Sequence, residues 1–194
     1  LRYRIKNLVV DPVIYSSSGK SLLSTEGVES LKEKLLPMTF LLTPNVNETE
    51  VLSGVKIRKA SDRIRAARIL IKMGTKNVLI KGGHLRGKPQ DFFFDGKHPL
   101  LLDADRIVGD DVHGTGCTLA SAITAGLAKG KDIVTSVKES KKFIGLAITG
   151  AVRSGRGLPQ VEPLTGLTKV PSAIVCASVF FELLRYCKAR VSAG

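Results

Sequence analysis

Ser61-Asp62-Arg63-Ile64-Arg65-Ala66-Ala67-Arg68-Ile69-Leu70-Ile71-Lys72-Met73-Gly74 runs directly into Thr75-Lys76-Asn77-Val78-Leu79-Ile80-Lys81-Gly82-Gly83, and this junction decides the fold class. In its first half Ile64, Ala67 and Leu70/Ile71 recur at helical spacing, and Gly74 supplies a C-terminal stop. Its second half has a different rhythm. Val78-Leu79-Ile80 is a short continuous apolar run, which marks a strand buried on both faces. A helix feeding such a strand is half of a βαβ unit, so the expected class is α/β with a mostly parallel sheet flanked by helices.

The alternation continues outward in both directions. Upstream, Leu8-Val9-Val10 reads as a buried strand that delivers Asp11-Pro12 at its end. Residues 25–36 carry Val28, Leu31, Leu35 and Leu36 at helical spacing until Pro37 stops them. Phe40-Leu41-Leu42 is the next strand, Thr43-Pro44-Asn45 turns away from it, and residues 48–52 form a short helix that Gly54 ends. Downstream, Phe92-Phe93-Phe94 and Leu100-Leu101-Leu102 flank Asp95-Gly96 as a hairpin. Residues 116–127 and 133–152 are the remaining core helices. After Gly155-Arg156-Gly157 the pattern becomes irregular, with a final helix expected over 170–190. The expected organisation is a domain over 1–157 followed by a segment over 158–194.

In open parallel sheets, ligands bind beyond the carboxyl ends of the strands. Asp11, Asn45/Glu48 and Lys81 each follow a strand closely, so patterning alone gathers them along one edge.

Composition narrows the function classes. The chain has 194 residues, 43% of them hydrophobic, and no apolar run reaches the roughly 18 residues of a membrane span. Three cysteines without CxxC spacing argue against a disulfide framework or a zinc site, and point to a reducing cytoplasm. A net charge of +13 suits either phosphorylated ligands or nucleic acid, or simply solvates helix faces. Trp is absent and aromatics make up 5%, so the basic residues lack the stacking platform of a single-strand binder, and no nucleic-acid partner is expected. The chain opens at Leu1 and enters a strand almost at once, which reads as a cut beginning.

The richest chemistry lies in Asp110-Asp111-Val112-His113-Gly114-Thr115-Gly116-Cys117-Thr118. Gly114 and Gly116 flank Thr115 immediately before a run of helix formers. Glycine admits close backbone approach, and the first N–H groups of a helix have no internal partners. Together they make an anion cradle at the positive end of the helix dipole, although a tight turn would look the same. Cys117 sits where a thiolate is electrostatically favoured, or else is a small buried hydrophobe like most free cysteines. Asn45, Asn47 and Glu48 offer hard oxygen ligands for Mg²⁺, usually through waters. A local alternative is Asn47 capping the following helix with Glu50 in its first turn, and both hold at once if Asn45 or Asn47 caps while Glu48 points at the metal. Glu48 reads as an exposed strand-end carboxylate. Asp11 is either a turn residue before Pro12 or part of the metal environment. Lys81 could reach nucleotide phosphates as a point charge. His84 and His113 are expected to satisfy loop hydrogen bonds rather than to catalyse.

Four motifs in this order resemble the phosphomethylpyrimidine kinases. They are Val10-Asp11-Pro12-Val13; Leu42-Thr43-Pro44-Asn45 with Glu48; Leu79-Ile80-Lys81-Gly82-Gly83-His84; and His113-Gly114-Thr115-Gly116-Cys117-Thr118-Leu119. The resemblance covers residues 8–151. It implies a ribokinase-like fold and ATP-dependent, Mg²⁺-assisted phosphorylation of hydroxymethylpyrimidine and its monophosphate in thiamine biosynthesis. It further implies that Cys117 stands where most ribokinase relatives carry a catalytic aspartate, with Gly114, Thr115 and Gly116 as the anion hole. Lys81, Asn45 and Thr115 would lie at the nucleotide, and Asp11 and Glu48 near the metal. Val112 departs from the family's usual threonine.

The family's glycine-rich substrate loop and first strands do not appear in this sequence. The chain alone is therefore expected to associate with itself and to show negligible pyrimidine kinase activity. The rival readings are a pyridoxal or pyridoxine kinase on the same fold, and a truncated nucleotide-binding domain without turnover.

Overall fold

A computed structural model describes residues 5–16, 19–82, 90–103, 112–153 and 155–165. His84, Asp110, Asp111, Cys176, Cys187 and the helix expected over 170–190 lie outside the described residues. The elements run β1 (Val9–Val10), α1 (Thr25–Ser30), β2 (Leu41–Leu42), α2 (Val46–Ser53), α3 (Ala60–Lys72), β3 (Asn77–Ile80), β4 (Gln90–Phe94), β5 (Pro99–Asp103), α4 (Thr115–Ala128) and α5 (Ile133–Thr149).

The strands make one sheet in the order β1-β2-β3-β4-β5. β1, β2 and β3 are parallel, with Val9 opposite Leu41 and Leu41 opposite Asn77. The expected hairpin then adds two antiparallel strands, Ile80 pairing with Phe92 and Phe93 with Leu100.

Side-chain alternation explains why the strand segments read as unbroken apolar runs. Leu42, Val78, Ile80, Phe92 and Phe94 face one way and pack with Val28, Leu52, Ala67 and Leu70 from the first three helices. Leu41, Leu79, Phe93 and Leu102 face the other way, against Leu119, Ile123 and Leu127 of α4 and Val137, Ile144 and Ala147 of α5. With helices on both faces, β2, β3 and residues 91–94 of β4 are buried at every position, so hydrophobicity there has no period of two. Among the described residues no helix is long and apolar enough to cross a membrane.

The helix expected over 25–36 changes character on the way. After α1 the chain widens into a π turn over Leu31–Leu35 and tightens to a 3₁₀ turn over Leu36–Met38. Pro37 has no N–H to donate, and its ring obstructs the preceding turn, so a regular α-helix cannot continue through it.

Asp95 fixes the β4–β5 turn. Its Oδ1 accepts the N–H groups of Lys97 and His98 at 2.8 and 2.5 Å, and Oδ2 lies 3.2 Å from His98 Nδ1. The His98 amide above all, followed by the Lys97 amide, holds the Asp95 pKa down at about 2 against an ordinary 3.8. A depressed folded value means that ionised Asp95 stabilises the folded chain. That stability is in place above the ordinary value and is lost as pH falls through about 2. The side chain is 34% exposed, so water screens part of the effect. Asp95→Ala is expected to cost about 1 kcal/mol at pH 7, with the gap to the parent closing towards pH 2. Urea unfolding at several pH values measures it, and a gap independent of pH would refute the assignment.

Candidate active site

The strand ends bring three of the sequence motifs into contact. Lys81 Nζ donates to Asp11 Oδ1 at 2.6 Å, across 70 residues of chain. The two side chains are 16% and 12% exposed, so the pair is largely withdrawn from water. Thr43 Oγ1 lies 3.3 Å from the same Asp11 oxygen. Thr43 carries no role in the sequence reading, where it is only the first residue of a turn. The helix start of the fourth motif closes over this pair. A β-carbon on Gly116 would stand 3.1 Å from Lys81 Nζ and 3.5 Å from Asp11 Oδ2. Glycine here lets the α4 backbone approach the ion pair directly.

The α4 N-terminus is shaped for that approach. Gly114 is its cap residue with φ 89°, a left-handed conformation that L side chains resist. Thr115 is the first helical residue, and Cys117 in the same turn is exposed. The loop is braced from behind: His113 N–H donates to Pro159 O at 2.7 Å, and Val161 N–H returns to His113 O at 3.1 Å. Residues 159–162 thus pack onto the body, with Glu162 N–H also reaching Ala147 O at the end of α5.

Asn45 and Glu48 form a second, adjoining unit. Asn45 caps α2, its side chain accepting Glu48 N–H at 2.8 Å, while Glu48 Oε2 accepts Asn45 N–H at 2.8 Å. This is a reciprocal capping box. The other Glu48 oxygen, Oε1, accepts Ile14 N–H at 3.1 Å from the loop after β1. Glu48 is only 2% exposed, so the expectation of an exposed carboxylate is corrected: it is buried because it joins two loops. Between Asp11 and the clamped Ile14, Val13 adopts φ 37°, a costly conformation for a β-branched residue. Asn45 also pairs with Lys81 through the backbone, Lys81 N–H reaching Pro44 O at 2.8 Å.

Asp11, Thr43, Lys81 and the α4 start therefore meet at one place, and Asn45 and Glu48 support it from below. Among the described residues no three His, Cys, Asp or Glu side chains gather into a metal cage. The donor set suits Mg²⁺ in another way, since that ion keeps waters and takes one or two carboxylates plus phosphate oxygens. Asp11 Oδ2, beside the α4 start and opposite the oxygen that Lys81 holds, fits such a ligand. Each Glu48 oxygen already accepts a backbone amide, so Glu48 is a less suitable metal ligand than Asp11 and ties together the loops beside it.

A parallel sheet core with a β-hairpin edge, helices on both faces and a Gly-rich helix start over a strand-end ion pair define a ribokinase-like chain. Comparison with known proteins narrows this. The sequence model of the family described as phosphomethylpyrimidine kinase matches residues 1–162, and the chain belongs to that family. A hydroxymethylpyrimidine/phosphomethylpyrimidine kinase of Streptomyces coelicolor is 41% identical over 154 residues, covering 79% of this chain and 57% of the relative. Among solved structures, pyridoxal kinase from Staphylococcus aureus in complex with AMP-PCP superposes with a TM-score of 0.77 at 31% identity, covering 84% of this chain and 60% of that one. The phosphomethylpyrimidine kinase of Clostridium difficile gives a TM-score of 0.66 at 39% identity, covering 76% of this chain and 59% of its own. The chain thus spans about three fifths of the length of these relatives.

Proposed function

We propose that the chain carries the nucleotide and catalytic side of a kinase that transfers phosphate from ATP to hydroxymethylpyrimidine and to its monophosphate. The observation that carries this reading is the approach of Lys81 Nζ and Asp11 Oδ2 to the α4 N-terminus, 3.1 and 3.5 Å from where a Gly116 β-carbon would stand. Phosphoryl transfer asks a protein chiefly for positioning and charge stabilisation. The unpartnered N–H groups at Gly114, Thr115 and Gly116 face developing negative charge, and the Lys81 ammonium adds a full positive charge beside them. Cys117, in the first turn of α4, would as its thiolate take the proton of the substrate hydroxyl while that oxygen bonds to the γ-phosphorus and ADP departs. Lys81, Asn45 and Thr115 line the nucleotide side. Mg²⁺ would be held by Asp11, with Glu48 supporting the loops around it, and would neutralise phosphate charge. A cytoplasmic setting and a homo-oligomer belong to the same reading.

A second reading, pyridoxal kinase, is favoured by the similarity to the Staphylococcus aureus enzyme. ADP release in a coupled assay with hydroxymethylpyrimidine, its monophosphate and pyridoxal separates the two. Turnover with pyridoxal alone would reverse the preference. ATP binding without turnover on any of the three would leave a nucleotide-binding domain.

The role given to Cys117 has its own check. A short iodoacetamide pulse followed by peptide mass spectrometry is expected to label exposed Cys117 ahead of Cys176 and Cys187. Saturating Mg-ATP should slow the Cys117 reaction several-fold. Equal labelling of all three cysteines, unaffected by nucleotide, would count against a place in the site.

A further inference from the structure

A second buried ion pair joins β4 to α5. Asp91 is 2% exposed in β4, next to Phe92-Phe93-Phe94. By strand alternation it shares the face of Phe93, which looks towards α4 and α5. An apolar side chain would suit that layer. The carboxylate instead accepts Gly82 N–H through Oδ1 at 2.8 Å, and Lys141 Nζ of α5 through Oδ2.

The Gly82 bond lies where the sheet changes partners. The β3–β4 ladder ends at the Ile80–Phe92 pair. Lys81 then turns its N–H to Pro44 O, on the β2 side. Gly82 N–H is left facing β4 beyond the ladder, and the Asp91 side chain takes it. No other residue type fits at position 82, since a β-carbon would stand 2.0 Å from Gln90 O. The backbone that carries Lys81 is therefore pinned from two sides, by Pro44 O at Lys81 and by Asp91 at Gly82.

We infer that Asp91, with Lys141 as its counter-ion, is a positioning residue that aims Lys81 at Asp11 and the α4 N-terminus. Lys141 pairs with the Asp91 carboxylate inside an apolar layer, where a lone anion would be costly. Asp91 holds the Gly82 amide, and the amide fixes the direction in which the neighbouring lysine leaves the sheet. This couples the outer helix α5 to the site through a chain of three contacts.

The test uses two readouts, and only the second rests on the kinase reading. The first is the rate at which trinitrobenzenesulfonate labels Lys81, measured by peptide mass spectrometry without nucleotide. The second is ATP affinity by calorimetry. Asp91→Asn keeps an oxygen for the Gly82 amide, and is expected to leave Lys81 labelling within about twofold of the parent. Asp91→Ala removes the acceptor, and should raise Lys81 labelling and weaken ATP binding, each about tenfold, as for a hydrogen bond of about 1.4 kcal/mol. Should Asp91→Ala not fold, the double variant Asp91→Leu/Lys141→Met removes acceptor and charges together and fills the space, and the same changes are expected. Loss of thermal stability with Lys81 labelling unchanged would overturn the proposal and leave the pair as an anchor for α5. A parent chain that binds no ATP would sink the kinase reading, while the labelling comparison would still decide this one.

Discussion

Glu48→Gln is expected to lower the free energy of unfolding by about 2 kcal/mol in metal-free buffer, and Glu48→Ala by about 3 kcal/mol. The carboxylate accepts two backbone N–H groups, from Ile14 at 3.1 Å and from Asn45 at 2.8 Å, at 2% exposure. Glutamine offers one oxygen and one NH₂, so one of those donors would face another donor and stay unsatisfied. Alanine abandons both and breaks the capping box as well. The loss should also free the strained Val13 segment, because Ile14 is no longer held. Chemical unfolding with EDTA present isolates this effect from any metal. If Glu48 served only a metal, both variants would match the parent under those conditions and differ only when Mg-nucleotide is added.

The parts of the fold that follow from local pattern are open to reading. Val78-Leu79-Ile80 and Phe92-Phe93-Phe94 announce buried strands because helices cover both faces of the sheet. Asp95-Gly96 announces a turn, and Gly54 ends α2 with φ 72°. Asn45 and Glu48 stand three residues apart, the spacing of a capping box, so their mutual contact was within reach of sequence reasoning. The Glu48 bond to Ile14 was not, since it spans 34 residues and depends on how the loop after β1 bends back. The Lys81–Asp11 pair spans 70 residues and the Lys141–Asp91 pair spans 50. Sheet order makes the first pair neighbours, and the packing of α5 on the sheet makes the second. A lone carboxylate opening a run of three phenylalanines was the available signal for Asp91, since a charge in a doubly covered strand needs a partner.

Lys81→Met is expected to raise the dissociation constant of Mg-ATP by about 10–100-fold, equivalent to about 1.5–3 kcal/mol for one charged hydrogen bond. The same substitution leaves Asp11 at 12% exposure without its cation, so the variant should also lose stability. These two effects must be separated, because an unstable protein binds poorly for an uninteresting reason. Asp11→Asn/Lys81→Met does so. It removes both charges, keeps a side chain that can accept from Thr43 Oγ1, and should recover most of the lost stability. Nucleotide affinity should not recover, since neither the ammonium nor the carboxylate proposed to hold Mg²⁺ returns. Asp11→Asn alone supplies the opposite corner of the cycle. It frees Lys81 from its 2.6 Å partner, so metal-free ATP should bind several-fold more tightly while the gain from adding Mg²⁺ shrinks. Calorimetric titrations with and without Mg²⁺ across the four proteins measure every term. If affinity merely followed stability across the cycle, the ion pair would be scaffolding and the nucleotide site would lie elsewhere.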